Sequence, residues 1–101
     1  MIAEFSIHPT DTPHMSPAIA EVIEILRSTG LSFRLGPMST SIEGDLESVL
    51  AAIQRCHAAL ADRHRRVITN IVIDDRKDQA HHLDEMVRSV EEQLNRLVLH
   101  S

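Results

Sequence analysis

The chain has no tryptophan or tyrosine, two phenylalanines, one cysteine and three glycines among its 101 residues. A single cysteine excludes an internal disulfide and fits a reducing, cytoplasmic compartment. No apolar run approaches the roughly 20 residues that span a bilayer, so no membrane partner is expected. The N-terminal stretch MIAEFSIHP lacks the basic region and long apolar core of a secretory signal. Without a set of aromatic side chains there is no stacking platform for single-stranded nucleic acid. A formal net charge of −5 also disfavours the phosphate backbone as a partner. The one basic cluster, Arg63-His64-Arg65-Arg66, reads as a helix end, where cations suit the helix dipole.

What is present is an ordinary globular composition, 43% hydrophobic and 25% charged, in a single domain over residues 1–101. Three segments carry a helical period. In the first, Ile19, Val22, Ile23 and Leu26 form the stripe, Ser16 and Pro17 supply N-cap and N1, and Gly30 ends the helix. In the second, Leu46, Val49, Leu50, Ile53 and Leu60 line up behind an Asp45 cap. In the third, Leu83, Met86, Val87, Val90, Leu94 and Leu97 repeat, with Asp78 as the candidate cap.

Between the helices lie segments of strand character. MIAEFSIH alternates, with Ala3, Phe5 and Ile7 on one face and Glu4, Ser6 and His8 on the other. LSFRLGPM places Phe33 and Leu35 on the apolar side, and STSIEG returns as its hairpin partner after a turn near Met38-Ser39. VITNIVID is rich in β-branched residues. The order β-α-β-β-α-β with right-handed crossovers predicts an α+β, ferredoxin-like sandwich: a four-stranded antiparallel sheet plus an extra C-terminal helix. Its helix-free face would carry Ile68 and Val72 among polar residues. That mixture predicts a homo-oligomer in which a second copy of the sheet packs against this face, giving a dimer.

Chemistry-bearing motifs are few. His8 with His14, or the adjacent pair His81-His82, are the obvious metal candidates among seven histidines. No HxxxH or CxxC spacing occurs, and neighbouring histidines on a helix diverge by about 100°, so no metal is expected. Cys56 sits among apolar neighbours and reads as a buried structural thiol. There is no GxSxG, no phosphate-cradling glycine loop and no nucleophile–base pair in the sequence, so catalytic residues are not expected.

Three stretches carry a family likeness: AEFSIHP at the start, PMSTSIEGD in the middle and RVITNIVIDDRKD near the last strand. The most specific parts are M-x-T-x-I-E-G, Met38 to Gly44, and R-V-x-x-x-I-x-I-D-D-R, Arg66 to Arg76. From Ile2 to about Leu94 the chain resembles the small thiamine-binding, YkoF-like proteins of bacteria and archaea. The resemblance implies a ferredoxin-like domain that pairs sheet to sheet, often into a tetramer, requires no cofactor, and binds thiamine or a hydroxymethylpyrimidine without catalysis. It also implies a ligand site on the open sheet face near the subunit seam. Ser6, His8, Met38, Thr40, Glu43, Asn70 and Asp74 are the ligand-binding candidates it points to. A carboxylate such as Glu43 would meet the amino group of the pyrimidine, Asp74 the thiazolium charge, and Met38 the ring. Strict alternation, however, turns Thr40 toward the core with Ile42. A ligand-free oligomeric interaction or regulatory module is the alternative reading.

Overall fold

The computed structural model describes residues 1–77 and 83–100. The order is β1 (Ile2–Pro9), α1 (Ser16–Thr29), β2 (Ser32–Leu35), β3 (Thr40–Glu43), α2 (Leu46–Ala61), β4 (Val67–Asp74) and α3 (Leu83–His100). The strands form one antiparallel sheet in the order β2-β3-β1-β4. This is the ferredoxin-like sandwich expected from the pattern, with α3 as the added helix.

The core lies between the sheet and the pair α1 and α2. Ala3, Phe5 and Ile7 of β1 and Ile42 of β3 face Val22, Leu26, Val49, Ile53, Cys56 and Leu60, all buried. Alternation along β1 produced that face, as expected. Burial also pushes the Cys56 thiol up to about 11, which makes it an inert core group rather than a nucleophile. The α2 stripe is rotated from the expected one. Ala52 and Cys56 join Val49, Ile53 and Leu60 inside, whereas Leu46 and Leu50 stay 47% and 38% exposed. The expected stripe gave the large side chains priority, whereas small residues take part of the inner face, and Cys56 Sγ donates to the Val22 carbonyl of α1 at 3.9 Å.

The helix ends follow local chemistry, with one correction. Asp45 caps α2 by accepting from the Ser48 backbone N–H at 3.0 Å, and that bond holds its carboxyl below the usual range. Gly30 closes α1 in the left-handed region at φ +76°, a conformation that costs glycine little. Met15, not Ser16, occupies the N-cap position of α1, and no side chain caps that end. Ser16 is instead the first helical residue. The expected Asp78 cap and the pair His81-His82 lie outside the described residues.

The turn after α2 is tied to the segment leading into α1. Asp11 accepts from the Arg65 N–H at 3.1 Å and meets His64 Nδ1 at 2.7 Å. These contacts, the Arg65 N–H first, hold the Asp11 carboxyl below its ordinary value. The Thr10 N–H donates to the Arg66 carbonyl at 3.0 Å, and Arg63 pairs with Glu21. The basic cluster therefore lies just beyond the helix and fastens a loop.

Candidate functional site

The β2–β3 hairpin is shorter than β1, and that mismatch opens a cleft. The Gly36 N–H donates to the Ser39 carbonyl at 2.8 Å, so the chain turns over Pro37-Met38, one residue earlier than expected. A Cβ on Gly36 would lie 2.9 Å from the Ser39 carbonyl oxygen, which is why this tight approach uses glycine. Strand β3 begins at Thr40, opposite Phe5. Beyond Phe5, Ser6 to Pro9 continue along β4 but have no neighbour in the ladder on the β3 side.

The space so left is bounded by the first turns of α1 and by the hairpin tip. It is a cleft of about 290 Å³ lined by Phe5 to His8, by Met15, Ala18, Ile19 and Val22, and by Leu35 to Thr40. That lies near the lower end of the roughly 300–1,000 Å³ typical of small-molecule sites, enough for one substituted ring. Its lining is mostly apolar, with Ser6, His8, Ser39 and Thr40 as the polar residues. No carboxylate lines it. Leu35, expected to face the core with Phe33, stays 57% exposed at its rim, and Met38 at the tip is 84% exposed. A more open and more charged depression lies on the far side of α1, around Glu21, Glu24, Arg63 and His64. No group of three or more His, Cys, Asp or Glu among the described residues could hold a metal ion.

The candidate residues from the sequence divide between two ends of the sheet. Ser6, His8, Met38 and Thr40 all line the cleft. Thr40 is 6% exposed and lies on the core side, as alternation required, and it still borders the cleft because β3 starts there. Asn70 pairs with Ser6 in register and is exposed, but it does not line the cleft. Glu43 and Asp74 flank Ile2 in the register, at the opposite end of β1. Six residues of strand separate Ile2 from His8, roughly 20 Å. The hairpin stretch PMSTSIEGD is therefore not a single wall: its first half borders the cleft and Glu43 belongs to the far end. Ile7, Ala18 and Ile19 also border the cleft, though none of them is a site candidate in the sequence. Their apolar side chains register only as core, and only the ladder lengths reveal the opening.

The comparisons with known proteins agree on one family. The model described as "Thiamine-binding protein" matches residues 3–91. UPF0045 protein YqgV of Bacillus subtilis is 40% identical over 100 residues, covering 92% of this chain and 96% of its own. A UPF0045 protein of Staphylococcus xylosus is 40% identical over 91 residues, 85% of each chain. Among solved structures, a hypothetical protein of Methanocaldococcus jannaschii superposes with a TM-score of 0.84 at 28% identity, over 90% of this chain and 95% of that one. A candidate thiamine biosynthesis or salvage protein of Thermotoga maritima shares the fold, with a TM-score of 0.78 at 20% identity over 88% of this chain and 96% of that one. The chain belongs to the thiamine-binding protein family.

Proposed function

We propose that this protein is a non-catalytic cytoplasmic binder of thiamine or a related hydroxymethylpyrimidine, and that the ligand enters the cleft between α1 and the hairpin tip. The observation that carries this reading is a coincidence. In a chain of the thiamine-binding family, Ser6, His8, Met38 and Thr40 converge on one mostly apolar cleft. The hydroxyls and the imidazole supply hydrogen bonds, and the flexible thioether of Met38 packs on a ring from outside. Glu43, Asn70 and Asp74 have no first contact with a ligand held there, in contrast with a site on the open sheet face.

The same reading includes a homo-oligomer. On the helix-free face Ile68 and Val72 are 39% and 65% exposed, and the α3 side chains Met86, Val87, Val90 and Leu94 are exposed too. A helix with one apolar stripe gains most of its stability from burying it. Pairing of two copies through these surfaces would supply that burial. The same surfaces favour the second reading, an interaction module without a ligand.

Thermal melting with added ligand separates the two. Thiamine or hydroxymethylpyrimidine at about 100 times its Kd should stabilise the fold by about 2.7 kcal/mol. For a chain of this length that raises Tm by roughly 10 °C or more. No shift with either compound at millimolar concentration would leave only the interaction module.

A further inference from the structure

We infer that the peptide group edge of Ile7 is the reading head of the cleft, and that it selects a neutral 4-aminopyrimidine ring while leaving any cationic ring outside. This rests on the proposed ligand class and adds the part of the ligand that is recognised and the atoms that recognise it.

The argument begins with hydrogen-bond parity. In an antiparallel ladder a residue sends both its N–H and its C=O to the same side, and successive residues alternate sides. Met1 and Gly44 exchange both bonds, at 2.9 and 3.1 Å, which directs the odd-numbered residues of β1 toward β3. The Thr10 N–H bond to the Arg66 carbonyl directs the even-numbered residues toward β4, in agreement. Phe5 meets Thr40 in this ladder, and the next position facing β3 is Ile7. Its register partner would be Met38, but the chain has already turned over there and Met38 is exposed. Among the described residues no backbone bond reaches Ile7 from that side.

Ile7 is nonetheless a core residue, 9% exposed, and it lines the cleft. A peptide N–H and C=O at the wall of an apolar cleft must be satisfied by water or by a ligand. The pair offers one donor and one acceptor in the plane of the sheet. A 4-aminopyrimidine is complementary: its ring nitrogen accepts from the Ile7 N–H, and the neighbouring amino group donates to the Ile7 carbonyl. The ring would extend the sheet by one rung, with Ala18 and Ile19 above it.

Charge sets the other half of the selection. No carboxylate lines the cleft, so a cation held inside it would find no counter-charge among the lining residues. A thiazolium inside would be buried without a partner charge, so it stays in water beyond Met38. Affinity then resides in the pyrimidine.

Calorimetric titration and ¹⁵N spectra of the full chain test this with four probes: thiamine, 4-amino-5-hydroxymethyl-2-methylpyrimidine, the same pyrimidine without its amino group, and the hydroxyethylthiazole. The aminopyrimidine should bind within about threefold of thiamine, and the desamino analogue at least about tenfold more weakly. The thiazole should not bind. The Ile7 amide proton should move downfield and exchange more slowly when the aminopyrimidine is added. If thiamine binds but the desamino analogue binds equally well, or the Ile7 amide does not respond, the inference is overturned and the proposed ligand class stands. If neither thiamine nor the aminopyrimidine binds, both fall.

Discussion

Ala18→Phe is expected to abolish binding of thiamine and hydroxymethylpyrimidine, by at least about a hundredfold in Kd, or ~2.7 kcal/mol. Ala18 lies in the first turn of α1, is 5% exposed, and lines the cleft. Its methyl group is small enough to leave room in front of Ile7, and a phenyl ring built there would occupy the volume a ligand ring needs. Inserting a large side chain into a filled core costs about 1–3 kcal/mol. Here the added ring enters an open cleft and buries apolar surface, so the variant should melt no lower than the parent. Calorimetry against thiamine, paired with a melting curve, checks both halves. A variant that stays folded and binds as the parent does would move the ligand site elsewhere.

Leu26→Ala carries the largest expected effect on stability. Leu26 is fully buried on the face of α1 that meets the sheet and α2. Removing such a side chain costs its transfer energy plus the cavity left behind, about 2–5 kcal/mol. Domains of this kind hold only about 5–15 kcal/mol in total. At about 4–8 °C per kcal/mol, Tm should fall by roughly 8–40 °C. Leu50→Ala is the matched control. Leu50 belongs to the apolar period of α2 by sequence but is 38% exposed, so its loss should cost under about 1 kcal/mol. Scanning calorimetry of the two variants measures the contrast, and equal losses would contradict the packing described.

The contrast between these two leucines also marks how far the sequence can be read. Element order followed from alternation in β1, the β-branched run of β4 and the punctuation by Gly30 and Asp45, because each is a local signal acting over one or two turns. Which side of α2 faces inward did not follow from size alone. Ala52 and Cys56 are small and add little to an apolar stripe, yet both are buried, Cys56 against the Val22 carbonyl of α1. The candidate site was half legible. Ser6, His8, Met38 and Thr40 meet because the hairpin turns over Pro37-Met38, three positions before β1 has ended in the register. Glu43 stands in the same motif but at the far end of the strand, since proximity along an extended chain is quickly lost at roughly 3.3 Å per residue. The open backbone edge of Ile7 had no signal at all in side-chain patterns. It depends on two strands having unequal length, which is a property of pairing rather than of either stretch alone.

The link between cleft and ligand is most directly tested by mapping amide chemical shifts as 4-amino-5-hydroxymethyl-2-methylpyrimidine is added to the ¹⁵N-labelled protein. The changes should concentrate at Ser6, Ile7, His8, Ala18 and Met38 to Thr40, and leave Glu43 and Asp74 nearly still. A map centred on Glu43, Asn70 and Asp74, with the hairpin tip unmoved, would contradict the account and return the ligand to the open face of the sheet.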